Sequence, residues 1–449
     1  MRTLWTAAAL REATGGSGGA DVFGVAIDSR AVAPGDLFVA LVAERDGHLF
    51  VADALARGAA CAMVAQDMAG PVLRVADTLA GLTALGTAGR ARAAAQVAAV
   101  TGSTGKTTVK EMLRHGLAAQ APTHASAASH NNQWGVPLTL ARLPPKIPYA
   151  VIEIGMNNRG EIAPLARLAR PNVAVVTNIG TAHVGNLGSE AEIAAEKGDI
   201  LLGLEPLGVA VLPADSPYFA ALAARAPGRV VSFGWAEGAT TRLLEVTEHA
   251  ASVEVTALFY GHRLDFSVGA PGTHMAVNAL AAIAAAAVLG ADPLRFATSL
   301  RSFDAGAGRG QRVTLALRGG GSAVLLDESY NASVASVRAA LSVLAAQEAR
   351  RRVAVLGDML ELGAAGPAQH LGLAQDVAHA ADLVFCCGPL MGEMFATLPE
   401  TRQGIATADS LALAPLVAAA IRDGDAIMVK GSLGSRMAVV VAAVKELAA

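Results

Sequence analysis

Apolar and polar positions divide the chain into three stretches, each alternating short apolar runs with helical spacings. Through about residue 85, DVFGVAIDSR, APGD and LFVALV predict strand, turn and strand, and a helix over 50–57 leads into a further strand, CAMVA. Thr6 as cap and Gly15 as stop predict a short first helix. A small-residue, basic helix or linker, GTAGRARAAAQ, separates this stretch from the next. The second stretch opens with VAAVTG and predicts strands at 98–101, 150–154, 173–177 and 209–212. Helices from Thr107, near 162–169 and from Glu190 lie between them. The third begins at AGAGRGQR, Ala305 to Arg312, and predicts strands at 323–326, 353–356, 383–386 and 426–429. Helices from Ser333, around His370, after Cys386 and at the end complete it. Such alternation argues for mostly parallel sheets covered by helices on both faces. The expected fold is α/β in three domains: a small mixed one over 1–88, and two doubly wound sheets over 89–307 and 308–449. The last sheet carries no glycine fingerprint after its first strand, which argues against a dinucleotide site there.

Composition narrows the partners. Of 449 residues 53% are hydrophobic, 4% aromatic and 16% charged, which suits helices packed tightly on sheets and excludes a disordered chain. The net charge is -3 and no basic block is long enough to track a phosphate backbone, so nucleic acid is not expected as a partner. Arg11 and Glu12 interrupt the opening apolar segment, and runs such as AAIAAAAVLGA from Ala281 stop short of the ~18 residues a bilayer requires. A soluble protein is expected. Cys61, Cys386 and Cys387 read as core cysteines in a reducing compartment.

The stretch AVTGSTGKTTVKEM carries the first chemistry. A helix that starts in a glycine turn after a strand points free N–H groups and its dipole at the turn, which favours an anion. Gly102 and Gly105 let the backbone curl with Ser103 and Thr104 between them, Lys106 supplies a mobile cation, and Thr107, followed by Thr108, offers a hydroxyl to Mg²⁺. Val100 stands where the usual phosphate-loop pattern has glycine, so only the second half of the motif matches. These residues do not decide between ATP and GTP, although the NKxD base-reading motif is absent.

Glu153 ends a buried strand on the same sheet edge, where an isolated carboxylate is costly, and a magnesium ligand beside Thr107 is its natural role. His183 follows the next strand, in VVTNIGTAHVGNLGS, and by itself reads equally as a simple loop histidine. Ser189 and Glu192 make a capping box that starts a helix at Glu190. Lys197 then falls on the apolar stripe, with no acidic partner four residues away on either side. Spacing leaves open whether it snorkels to solvent or stays inward. An inward, neutral amine can react with CO₂ to give a carbamate, an anionic oxygen donor.

Together these residues resemble the Mur ligase family, ATP-dependent amide ligases of peptidoglycan synthesis, over nearly the whole chain. That family's phosphate loop also lacks the first glycine. SHNNQWGVPLTL, PGTHMAVNALAA, DESYNASVASVRAAL, VLGDMLELG and VKGS look like the branch that adds D-alanyl-D-alanine to a UDP-N-acetylmuramoyl-tripeptide. Ser333 departs from the run, with proline after Asn-Ala-Asn, usual in that branch. The resemblance implies a central P-loop ATPase-type sheet, a C-terminal Rossmann-like domain that closes over ATP and binds the dipeptide, and an N-terminal domain for the UDP substrate. It implies that Glu153, His183 and a carbamylated Lys197 serve two Mg²⁺ sites. Ser29 and Arg30 with Gly47 and His48 would hold the uridine diphosphate end, and Asn131 and Asn132 the substrate path. His274 and Asn278 would contact adenine, and Arg309, Asp327, Tyr330, Asn331 and Lys430 would come from the third domain. The expected protein is a cytoplasmic monomer with small-molecule substrates.

Overall fold

A computed structural model describes residues 2–126, 129–181 and 184–448. Its strands form three sheets. The first is ordered Ser17–Gly18, Val72–Arg74, Cys61–Val64, Asp36–Val39, Gly24–Ala26, parallel but for its two-residue edge. Thr6 caps the first helix, Ala7–Thr14, and Gly15 ends it in the left-handed region at φ 67°.

The second sheet has nine strands. Seven run parallel, with Gln96–Thr101 between Tyr149–Glu153 and Val173–Val176, so the phosphate-loop strand lies centrally. Its alternation is strict: Ala98 and Val100 face one apolar core, Val97 and Ala99 the other. Helices Lys106–Ala118 and Thr273–Val288 cover the first face, while Gly135–Ala141 and Ile162–Ala169 cover the second. An antiparallel meander, Thr241–Glu248, Val253–Phe259 and His262–Val268, extends the far edge. Nothing in the apolar-run pattern predicted those strands, because their half-exposed alternation lacks the continuous apolar runs of the buried ones. No helix among the described residues is long and apolar enough to cross a membrane.

The third sheet is ordered Gln311–Ala316, Ser322–Glu328, Asp425–Lys430, Arg351–Gly357, Leu383–Cys387, Gln403–Thr407, parallel apart from its first strand. Cys386 and Cys387 point to opposite cores, and all three cysteines are buried free thiols. Ser333 caps Val334–Ala345 in a reciprocal box with Ser336, so the departure from the family's proline makes a helix start of its own.

Residue 88, where a domain boundary was expected, falls inside one continuous helix, Thr78–Arg92. That helix joins the first sheet to the second by lying against Gly135–Ala141. A Cβ on Gly89 would sit 2.2 Å from the Leu140 carbonyl oxygen, so only glycine permits the approach. Arg90 donates from Nε to the Ala169 carbonyl and from Nη2 to the Arg170 carbonyl, both at 2.8 Å. The second and third sheets meet through lighter contacts. Gln347 Nε2 donates to the Ala250 carbonyl at 3.0 Å, and the Gly185 N–H to the Glu361 carbonyl at 3.2 Å.

Candidate active site

The phosphate loop leaves the end of Gln96–Thr101 through Gly102 and enters Lys106–Ala118 at Gly105, whose φ of 77° is left-handed. No side chain caps this helix, so its first-turn N–H groups are open to an anion. Lys106 Nζ donates to the Gly102 carbonyl at 2.9 Å. Burial pushes its pKa down, against the opposing pull of the Glu153 carboxylate.

Register sets Glu153 beside Val100 at the end of the neighbouring strand. Its carboxylate is 1% exposed and accepts from Thr107 Oγ1 on one oxygen and Asn131 Nδ2 on the other, both at 2.8 Å. The fully buried Lys110, one turn beyond Lys106, donates to the Ser126 carbonyl at 3.1 Å and pairs with Glu111 at 2.8 Å. Lys197 is also fully buried, on Glu190–Gly198, and its Nζ has no hydrogen-bond partner among the described residues. Burial first, then the Lys106 charge, drives its pKa well below 10.5, which favours the neutral amine. Inward, not snorkelling, is therefore the outcome for Lys197. His183 lies outside the described residues.

The loop forms one wall of a cleft of about 770 Å³ between the second and third sheets. Ser103, Thr104, Gly105, Lys106, Thr107, Thr108, Asn131, Asn132 and Glu153 line it from the second sheet, joined by His274 and Asn278 from Thr273–Val288. Arg309, Glu328, Tyr330, Asn331 and Lys430 face them. The Arg309 guanidinium stacks 3.7 Å above the Tyr330 ring and donates from Nη2 to Ser129 Oγ at 2.6 Å. Lys430, 2% exposed, donates to Glu328 Oε2 at 3.3 Å and to the Asn331 carbonyl at 3.0 Å. Burial lowers the His274 pKa, so its ring is neutral and able to accept as well as donate.

The residues expected at the first sheet stand apart from this cleft. Arg30, 83% exposed, makes a bidentate pair with Asp28, whose pKa that hydrogen bond lowers. Ser29 is buried in the same turn. His48 behind Gly47 is 5% exposed and has both ring nitrogens engaged: Nδ1 lies 2.6 Å from Asp46 Oδ1, and Nε2 accepts from the Ala65 N–H at 3.0 Å. His48 thus shapes the turn, leaving backbone and Arg30 as the groups that face outward.

Comparison with known proteins decides the family. The Mur ligase middle domain matches residues 100–286, and the Mur ligase, glutamate ligase domain matches 308–433. The UDP-N-acetylmuramoyl-tripeptide–D-alanyl-D-alanine ligase of Escherichia coli is 37% identical over 440 residues, 95% of each chain. That of Mycobacterium tuberculosis is 32% identical over 465 residues, 91% of this chain and 89% of the relative. The chain belongs to the Mur ligase family. A crystal structure of MurF from Acinetobacter baumannii superposes with a TM-score of 0.86 at 31% identity, covering 98% of this chain and 99% of that one. Like the family's other members, this Mur ligase is an ATP-dependent ligase with the three-part α/β architecture.

Within this Mur ligase, Asp327 is not where reading by sequence put it. In Ser322–Glu328 successive side chains alternate, and it is Glu328 that lines the cleft. Asp327 turns the other way, 2% exposed, accepting from the Ser329 hydroxyl at 2.6 Å with Lys445 3.9 Å away. Sequence reasoning also passed over Ser129, Glu328 and Glu361, and marked Asn178 only as a strand-end residue without a role. The signal for Glu328 was the parity of its strand. For Ser129 none was available, since its partner is 180 residues away.

Proposed function

We propose that this chain joins D-alanyl-D-alanine to the terminal carboxylate of a UDP-N-acetylmuramoyl-tripeptide, with ATP cleaved to ADP and phosphate. The observation that carries this reading is the likeness along 95% of the chain to a ligase named for that reaction, with a phosphate loop facing a cationic wall across the cleft. The three parts then divide the work: 1–88 for the UDP end, 89–307 for ATP, and 308–449 for closure and the dipeptide.

A peptide carboxylate is a poor electrophile and must be activated. It attacks the γ-phosphorus of ATP, the bond to the β-phosphate oxygen breaks, and an acyl phosphate forms as ADP is released. The free amine of D-alanyl-D-alanine attacks the acyl carbon, the tetrahedral adduct collapses, and phosphate leaves with the amine's proton lost to solvent or a base. Lys106 and the open N–H groups of the first helical turn offset charge on the transferring phosphoryl group. Arg309, held flat on Tyr330, meets it from the opposite wall. His274 and Asn278, which line the cleft, would contact the adenine, and Glu328 with Lys430 orders the loop through Asn331. Closure keeps water from the acyl phosphate.

Thr107 Oγ1 and the Glu153 carboxylate are oxygen donors of the kind Mg²⁺ takes, and their 2.8 Å approach fits one shared hard cation, with His183 as the further expected ligand. When bound, Mg²⁺ supplies positive charge to phosphate oxygens. The Nζ of Lys197, without a hydrogen-bond partner among the described residues, suits carbamylation, in which the amine nitrogen bonds to the carbon of CO₂ and one proton is lost. A cytoplasmic monomer accords with three free buried thiols and small-molecule substrates.

The test is phosphate release with ATP, UDP-N-acetylmuramoyl-tripeptide and D-alanyl-D-alanine, each omitted in turn. Sustained release is expected only with all three. Undiminished release without the dipeptide, or with single amino acids in its place, overturns the assignment.

A further inference from the structure

The phosphate loop is gripped from behind by the segment that leaves the next strand, and Asn178 is the centre of that grip. Its Oδ1 accepts from the Thr104 N–H at 2.8 Å, its Nδ2 donates to Thr104 Oγ1 at 2.6 Å, and its carbonyl accepts from the Ser103 N–H at 3.0 Å. On either side, Thr177 Oγ1 donates to the Thr104 carbonyl, and Ser103 Oγ donates to the Gly180 carbonyl at 3.1 Å while accepting from its N–H at 3.0 Å. Gly102 is shaped by the same contact: at φ 152° its absent Cβ would lie 1.8 Å from Thr177 Oγ1. The backbone N–H groups of residues 103 and 104 and the Ser103 hydroxyl are therefore engaged with protein, although both residues line the cleft.

We propose that Asn178 is a positioning residue for nucleotide binding, clamping the outer half of the phosphate loop so that the backbone donors left for phosphate begin at Gly105. The proposal rests on the nucleotide role given above. A side-chain amide that meets both a backbone N–H and the hydroxyl of one residue fixes that residue's φ, ψ and χ1 together. Thr104 is the residue next to Gly105, so its orientation sets the direction in which the following N–H groups point. Hydrogen bonds are the right instrument here because a loop that must admit a polyanion cannot be held by apolar packing.

Three variants test it: Asn178→Ala, Thr104→Val, which removes only the hydroxyl, and the pair combined. In ligand-free protein, amide exchange at Thr104 should be slow in the native chain and roughly tenfold or more faster in Asn178→Ala, where its N–H acceptor is gone. Exchange equally fast in both overturns the clamp whatever the nucleotide does. ATP affinity, measured directly by calorimetry, should fall roughly tenfold to thirtyfold in Asn178→Ala and a few-fold in Thr104→Val, with the double variant's loss at least that of Asn178→Ala alone yet short of the product of the two. KM for the two peptide substrates should stay within about twofold, which general loosening of the fold would not spare. ATP affinity and KM for ATP unchanged in both single variants overturn the positioning role. If Asn178→Ala fails to fold, Thr104→Val still decides, since a native-like ATP affinity there refutes the hydroxyl's part. Native protein that binds no ATP overturns the functional reading itself, a result distinct from loss of the clamp because amide exchange is read without ligand.

Discussion

Replacing Lys197 by methionine should stabilise the fold while abolishing ligation, when measured in CO₂-depleted buffer without nucleotide or metal. The Lys197 side chain is 0% exposed and its Nζ has no hydrogen-bond partner among the described residues, and Ile193, Ala194, Ile200 and Leu201, three and four residues before and after it, are buried as well. A buried polar group without a partner costs about 1–3 kcal/mol, and methionine keeps an unbranched stem of similar length while removing the nitrogen. For a folding unit of 150–250 residues each kcal/mol shifts Tm by about 2–4 °C, so a rise of roughly 2–12 °C is expected. Proton linkage gives the effect a sign with pH. The folded pKa lies below 10.5, so between those two values the unfolded chain holds a proton that the folded chain lacks. Stability from this group therefore rises with pH through that window and is lowest beneath it. Scanning calorimetry at pH 7 and pH 9 should show the variant's advantage shrinking at the higher pH. Bicarbonate with Mg²⁺ should raise the native Tm and leave the variant's unchanged. A Lys197→Met protein that melts below the native one at pH 7 without CO₂ refutes the reasoning, because it would mean that the amine is well satisfied.

Glu328→Gln should lower kcat/KM by about tenfold or more, since a charge-assisted partner of Lys430 is lost beside the cleft, whereas Asp327→Asn should change it less than about threefold and act on Tm instead. Equal effects of the two on steady-state phosphate release would contradict the strand parity. Gly102→Ala should destabilise by roughly 1–3 kcal/mol in urea unfolding, because a Cβ has no room against Thr177; native-like stability there would refute the close approach. His48→Ala leaves the Ala65 N–H without its acceptor and should cost about 1–3 kcal/mol, raising KM for the UDP-linked substrate while KM for ATP stays the same. A shift in KM for ATP of the same size would argue against a local role.

Much of the architecture was readable because strands covered on both faces are continuous apolar runs, and Val173–Val176 or residues 353–356 cannot be mistaken for surface. The meander beyond Val230–Gly234 escaped because strands with one solvated face alternate, and residues such as Glu245 and Thr247 break any apolar run. The helix Thr78–Arg92 hid the junction after the first sheet, since its glycines resemble a linker in sequence and are a helix–helix contact in space. At the site, local chemistry was legible in part: a glycine turn and a capped helix follow from spacing of a few residues, whereas spacing put Lys197 on the apolar stripe and left its inward or outward course to the structure. Pairings over long distance were not. Asn178 meets Thr104 across 74 residues, and nothing in either neighbourhood announces the other.

The long-range contacts also explain how a ligase with this cleft can hold back water until its substrates are in place. The first sheet is joined to the second through buried apolar side chains and a glycine-lined helix contact, a junction that does not open cheaply. Beside a small apolar contact where Val343 lies against Gly272, the third sheet meets the second through polar contacts such as Arg309 to Ser129, Gln347 to Ala250 and Gly185 to Glu361. Each is worth about 1 kcal/mol net, so three of them bias closure by about 3 kcal/mol, roughly two decades in the equilibrium. A bias of that size is small beside what phosphates can add by engaging Lys106 on one wall and Arg309 on the other. Ser129 sits where this matters, 3.5 Å from Thr107 Oγ1 and in contact with Arg309, while Asn131 two residues on holds Glu153. One short segment therefore touches the phosphate loop, the buried carboxylate and Arg309 of the opposite wall at once, so a change at any one of the three is felt by the others.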